Sequence, residues 1–290
     1  MPTIKLQWWL GNQMFQYAFG YALSKQYDEP IILDPFYLEN RFFAANWTFR
    51  NFELEVFGIK KTYAITNSIS RKFLHPRLIE MLRSWQFKGN YIREVWGQYI
   101  HHFPKNAYID GWFNSYQYFE SCRDDIYAIF QVKTPIASEN QKVLDVIQKA
   151  WSRAVSLHVR RGDYVTLASA NKWHGVCSPG YYEASIEQMK EKLWDPVFFI
   201  FSDDIDWCKA NIHFPEWIES HYIDHNGSAG HEDMRLMYSC AHHVIANSSF
   251  SWWGAYLWVN LERVVIAPKK WIQESDHSTD NLLLPSWTLL

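Results

Sequence analysis

Cysteine is scarce in this chain. Its four cysteines, Cys122, Cys177, Cys208 and Cys240, are far apart, and none forms a C-x-x-C pair. That spacing argues against a zinc ribbon or thioredoxin-like chemistry. No apolar run reaches the length of a transmembrane helix. The start, Met1-Pro2-Thr3-Ile4-Lys5, lacks a basic region followed by a long apolar run, so it does not read as a secretory leader. Free thiols then point to a reducing, cytoplasmic setting, in which the sequons at Asn46, Asn226 and Asn247 are chance matches. Long basic runs are missing too, and the net charge is -3. Bulk electrostatics therefore give no reason to expect a nucleic acid or an anionic membrane as partner, and binding of a polyanion would need a local patch. There are no internal repeats and no low-complexity tracts.

What is present is enough apolar material for a substantial core, 48% of 290 residues, in a length that allows one large domain or two ordinary ones. Aromatic residues make up 18%. Core packing is the default reading of any one ring. The functional alternative is stacking on sugar faces, whose C–H groups are apolar.

The C-terminal half alternates short apolar runs with helix-like segments. Strands are expected over Ala154–Val159, Val197–Phe201, His221–Ile223, Val244–Ala246 and Val264–Ala267. Helices are expected over Tyr181–Leu193, Ile205–Asn211, Glu232–Ala241 and Trp252–Val259. Such alternation predicts an α/β unit, a parallel sheet covered on both faces. Polar loops follow the first four strands: Arg160-Arg161-Gly162-Asp163, Ser202-Asp203-Asp204, Asp224-His225-Asn226-Gly227 and Asn247-Ser248-Ser249. Ligands of open α/β sheets bind beyond the carboxyl ends of the strands, so these loops predict one shared site. In the N-terminal half, a strand is expected over Ile4–Trp8, a helix from Met14 to Tyr27 and a second strand over Ile31–Leu33. Residues 36–130 are weakly periodic. Val132–Asn140 reads as a linker, and a helix over Gln141–Trp151 leads into the second half.

The stretch His158-Val159-Arg160-Arg161-Gly162-Asp163-Tyr164 carries the most chemistry. Arginine's planar fork donates two parallel hydrogen bonds and keeps its charge, which suits it to phosphate. Two arginines at the end of a strand suggest an anion seat, against the plain alternative of a solvated charge cluster. Asp204-Ile205-Asp206 has D-x-D spacing, used elsewhere to hold a divalent metal. Its position before a helix favours capping instead. His242-His243 opens an apolar strand, where adjacent side chains point to opposite faces, so it reads as structural. Trp252, Trp253 and Tyr256 read as core.

The segment His158–Tyr164 resembles the H-V-R-R-G-D-Y motif of alpha-1,2-fucosyltransferases. Leu10-Gly11-Asn12-Gln13-Met14-Phe15-Gln16-Tyr17-Ala18 resembles their N-terminal motif. Phe201-Ser202-Asp203-Asp204 and the stretch from Asp233-Met234 to Asn247-Ser248-Ser249-Phe250-Ser251-Trp252-Trp253-Gly254-Ala255 match two more, in family order. The resemblance implies a GT-B-like fold, two Rossmann-like domains facing a cleft. Residues 1–135 would be the acceptor-side domain and 136–290 the domain that binds the donor. It implies an inverting galactoside alpha-1,2-fucosyltransferase, which moves L-fucose from GDP-fucose to the 2-hydroxyl of a galactoside on a glycan or surface-polysaccharide precursor. No metal or other cofactor is implied.

Carried over residue by residue, Arg160 would contact the donor's β-phosphate, with Arg161 and His158 supporting the diphosphate. Asn12 would lie near the fucose and phosphate. Asp233, Asn247, Ser248 and Ser249 would contact the nucleotide. Asp163 is a candidate base, or a group that orients Arg160 or Arg161. The catalytic set is therefore Arg160, Asp163 and Asn12. A lipid-linked acceptor would bring the chain to the inner face of a membrane. Two other readings stay open: a different GDP-sugar transferase with another linkage, and a non-catalytic glycan- or nucleotide-binding protein.

One departure stands out. The family usually has glycines just before L-G-N-Q, and this chain has Gln7-Trp8-Trp9. Glycine lets backbone approach a ligand without a Cβ clash. Indoles there imply a displaced loop, an acceptor pocket shaped by the rings, or an altered variant.

Overall fold

The computed structural model describes residues 1–40, 51–62, 75–95, 99–257, 262–273 and 281–290. The sequon at Asn46 and the end of the helix expected up to Val259 lie outside those residues. The chain divides into two compact units, Met1–Ile129 and Phe130–Leu290. The expected boundary lay after residue 135. The intervening residues go with the second unit for identifiable reasons. Phe130 packs edge-on against Trp253 with centroids 5.0 Å apart. The Val132 N–H donates to Tyr238 Oη at 3.3 Å, and Arg235 donates to the Thr134 carbonyl.

The first unit holds a sheet of β1 (Thr3–Lys5), β2 (Ile32–Asp34), β3 (Tyr91–Arg93) and β4 (Tyr108–Asp110). Its order is β2-β1-β4-β3, and every pairing is parallel. β1 stops at Lys5, short of the expected Trp8, whose φ of 68° is incompatible with a strand. The first helix starts earlier than expected, at Leu10, and runs to Tyr27. Leu10, Met14, Phe15, Ala18, Phe19 and Leu23 recur at helical spacing and are buried. Asp28 ends it in the left-handed conformation, its N–H returning to the Ser24 carbonyl.

All four strands end on a charged residue. Across the sheet these read Asp34, Lys5, Asp110, Arg93, so neighbours have opposite sign. Lys5 Nζ lies 3.0 Å from Asp110, and Arg93 Nη2 lies 3.2 Å from the same carboxylate. Asp34 pairs with the buried Arg83. Buried charge is tolerated only when partnered in this way.

The second unit holds β5 (Ala154–Val159), β6 (Val197–Ser202), β7 (Ser220–Ile223), β8 (His242–Val244), β9 (Val265–Ala267) and β10 (Thr288–Leu289). The order is β10-β9-β8-β5-β6-β7, again all parallel. Successive side chains of a strand point to opposite faces. Val155, Leu157 and Val159 join Tyr182, Ile186 and Met189 of helix Pro179–Lys192 in one cluster. Ala154, Phe199 and Phe201 join Ile147, Leu236 and Met237 in another, under helices Ser138–Ala150 and Gly230–Ser239. Both faces are covered, as the expected α/β class requires. Trp252 and Trp253 are fully buried.

β8 comes two residues ahead of the strand expected over Val244–Ala246. His242 and His243 form its start and act structurally: Ser156 Oγ bonds His243 Nδ1 at 2.8 Å, and His242 bonds the Ser152 carbonyl and the Val264 N–H.

Candidate active site

The order of the second sheet reverses at β5. From there the chain proceeds outward through β6 and β7, then returns to lay β8 on β5's other side. The loops after β5 and β8 therefore flank a topological switch point, where open α/β sheets take their ligands. The Tyr164 hydroxyl donates to the Asn247 carbonyl at 3.4 Å, joining those two loops. The Phe250 ring lies 5.6 Å from the His158 ring and within 3.7 Å of where a Cβ on Gly230 would stand. The loops after β5, β7 and β8 meet there.

Arg160 follows directly on the buried β5 and is gripped from two sides. Its Nη2 donates to Asp163 Oδ1 at 2.5 Å, and its Nη1 lies 2.6 Å from Asp203 Oδ2. Arg161 donates through Nε to Asp204 at 3.0 Å and through its backbone N–H to Asp203 at 2.8 Å, and its guanidinium lies 4.0 Å from the Trp207 ring centroid. Burial alone would push Arg160 down, but Asp203 and Asp163 outweigh it and hold the guanidinium firmly charged. Two guanidinium groups face three carboxylates. The cluster is thus a set of oriented donors, not a region of surplus positive charge. Gly162 permits the arrangement, because a Cβ there would stand 2.4 Å from Asp203 Oδ2.

Asp163 is ion-paired to Arg160, a geometry that fits the orienting reading. Asp204 caps helix Ile205–Asn211, accepting from the Trp207 N–H at 3.2 Å. That is the capping reading of the D-x-D segment. Asp203, not among the candidate site residues, holds both arginines. Its place in the polar loop after an apolar strand and in the F-S-D-D motif was the signal for it.

His158, the fifth residue of β5, is buried, and its Nδ1 has no hydrogen-bond partner among the described residues. Burial, with Arg160 beside it, pushes its pKa down to about 3, so the ring is neutral. Asp233, on helix Gly230–Ser239, accepts from Asn226 Nδ2 at 2.7 Å, and burial pushes its carboxyl up to about 6. Asn226 in turn accepts from Asn140 at 2.7 Å, and Asn140 bonds His225 at 2.7 Å.

Ser248 caps helix Ser249–Tyr256, accepting from the Phe250 N–H at 3.3 Å, and Ser249 is half-buried at its first residue. Asn247, expected to contact the donor, has its amide engaged by the protein at both ends. Nδ2 donates to the carbonyls of His174, Trp271 and Gly175 at 2.9 to 3.4 Å, and Oδ1 accepts from Cys177. It ties loops together.

Asn12 lies in the other unit, half-buried in the first turn of helix Leu10–Tyr27. The neighbouring glutamines are scaffold. Gln16 accepts from the Gln7 N–H at 3.0 Å and donates to the Gly111 carbonyl at 2.9 Å. It thereby bridges the loops after β1 and β4, the switch point of that sheet. Gln13 donates to the carbonyls of Trp8 and Asn51, each at 2.8 Å. Trp8, at φ 68°, takes the left-handed conformation natural to glycine.

The model of the family described as glycosyl transferase family 11 matches residues 1–290. An alpha-1,2-colitosyltransferase of Escherichia coli is 35% identical, covering 92% of this chain and 91% of that protein. The Escherichia coli O-antigen biosynthesis glycosyltransferase WbnK is 30% identical over 96% of both chains. The galactoside 2-alpha-L-fucosyltransferase SEC1 of Bos taurus is 28% identical, over 88% of this chain and 64% of that protein. A match along the whole length, and relatives of this similarity over nearly all of it, establish that the chain belongs to glycosyl transferase family 11.

Proposed function

We propose that the chain is an inverting glycosyltransferase that moves L-fucose from GDP-fucose to the 2-hydroxyl of a terminal galactoside on a glycan or polysaccharide precursor. The observation that carries this reading is Arg160, held in a fixed orientation by Asp163 and Asp203 at the switch point of the second sheet. Relatives that transfer fucosyl or colitosyl groups in alpha-1,2 linkage support the linkage.

As the acceptor oxygen bonds to the anomeric carbon and gives up its hydroxyl proton to a base, for which Asp163 is the candidate, the bond from that carbon to the β-phosphate oxygen breaks. Its electron pair leaves with GDP. Charge grows on the β-phosphate, and a preoriented Arg160 stabilises that charge more than it stabilises the ground state. A guanidinium presents five N–H donors in a fixed fork, and Asp163 and Asp203 set how the fork of Arg160 is turned. Arg161 adds a second cation. Neutral His158 offers the diphosphate a ring nitrogen. Asp233 and the Ser248–Ser249 helix start would contact the nucleotide, and Asn12 the sugar. In this reading the oriented donors of the two arginines hold the diphosphate oxygens and no divalent ion is called for, so chelation with EDTA should leave turnover unchanged.

The test is incubation with GDP-fucose and a panel of β-galactosides, with the product linkage read by NMR. An alpha-1,2-fucosyl product supports the reading. Transfer only from GDP-colitose, or a different linkage, replaces the donor or acceptor assignment. GDP binding without turnover on any galactoside rejects it.

A further inference from the structure

Helix Pro76–Gln86 is mounted with its polar side inward. Arg83 is buried and pairs with Asp34 and the Tyr108 hydroxyl. Glu80 lies 3.5 Å from Lys5 Nζ and 3.2 Å from Arg93 Nη2. Ile79 is buried beside them. The outward side is apolar: Leu78, Met81, Leu82 and Trp85 are 40%, 60%, 43% and 81% exposed. Positions i, i+3, i+4 and i+7 share one helix face, so these four side chains form a continuous stripe. A water-facing helix ordinarily shows the reverse arrangement. The helix is also preformed, with Pro76 in its first turn and the His75 ring accepting from the Arg77 N–H at 3.2 Å.

Charge selects the occupant. Arg77 and Lys88 are exposed near the two ends of the stripe. Glu80 is the one acidic residue between His75 and Asn90, and it is turned to Lys5 and Arg93. An exposed tryptophan among aliphatic side chains, rimmed by cations and free of outward carboxylates, matches the boundary between headgroups and acyl chains of an anionic bilayer. Self-association through the stripe is disfavoured. Both ends are positive, so two copies laid stripe to stripe, parallel or antiparallel, would bring like charges together.

We propose that helix Pro76–Gln86 seats the chain on an anionic lipid surface, with Met81 and Trp85 entering the interface and Arg77 and Lys88 meeting lipid phosphates. This local patch operates despite the chain's net negative charge, and it is independent of which sugar is transferred.

The experiment is co-sedimentation of the full chain with vesicles of phosphatidylcholine alone and of phosphatidylcholine mixed with phosphatidylglycerol. The wild-type chain should sediment with the mixed vesicles and much less with the neutral ones, and binding should weaken as salt rises. M81S/W85S and R77E/K88E should each lower the partition coefficient by about tenfold or more. Both variants should keep the wild-type Tm and turnover of a soluble acceptor. Three results would overturn the proposal: equal or no sedimentation with the two vesicle types, variants that bind like the wild type, or a dimer in sedimentation equilibrium that M81S/W85S abolishes.

Discussion

Arg160 and Asp203 meet from the ends of two adjacent strands, Nη1 to Oδ2 at 2.6 Å, and the same carboxylate accepts the backbone N–H of Arg161 at 2.8 Å. One side chain thus fixes both arginines. Asp203→Ala should lower kcat by about 10- to 100-fold, since small misplacements of a catalytic group cost that much. Asp203→Asn should recover part of the loss, because its amide oxygen still accepts from Arg161. Steady-state kinetics with a parallel Tm measurement decide the matter. A purely structural role would lower Tm and leave kcat intact.

Gly162 lies where any Cβ would strike Asp203 Oδ2. Gly162→Ala should therefore reproduce the kinetic defect of Asp203→Ala by moving the same carboxylate. In a double-mutant cycle the two losses should fail to add. Additive losses would mean that Gly162 acts through something else.

Trp8 holds a left-handed backbone that costs an L-residue about 1–2 kcal/mol. Trp8→Gly and Trp8→Ala both delete the ring, so the comparison isolates the backbone. The glycine variant should be the more stable by about 1 kcal/mol in urea denaturation. Equal stabilities would contradict the left-handed assignment.

Much of the second unit was legible because β5 and β6 are six-residue, largely apolar runs buried along nearly their whole length; Ala154–Val159 is a strand over the residues expected. β8 was misplaced because hydropathy cannot register that His242 and His243 are buried with bonded rings. The first unit has three-residue strands, too short for periodicity, whose charged ends find partners far along the chain. Lys5 and Asp110 are 105 positions apart. At the site, Arg160 and Arg161 announced themselves by residue type and by the glycine after them. Asp203 did not, since its contact with Arg161 spans 42 positions. Nor does a short motif show which way an amide faces, so the bonds of the Asn247 side chain to His174 and Trp271 could not be read from it.

Burial raises Asp233 to about 6, above its unfolded value near 3.8. The folded state therefore holds the proton more tightly. Its contribution is favourable below about pH 4 and is lost as pH rises through 6. Asp233→Asn removes the titration and keeps an oxygen to accept from Asn226. Its Tm relative to wild type should rise across that window by several degrees and then level off. A difference that does not change with pH would contradict the raised value.

The central claim is that the Arg160 guanidinium stabilises the departing diphosphate, and replacement of that one side chain tests it most directly. Arg160→Ala and Arg160→Lys should fold with near wild-type Tm. Alanine should lower kcat with GDP-fucose by about 10²- to 10³-fold, and lysine should restore little of it, because an ammonium group cannot present a fork between Asp163 and Asp203. A folded Arg160→Ala protein that forms the alpha-1,2 product at the wild-type rate would contradict the account.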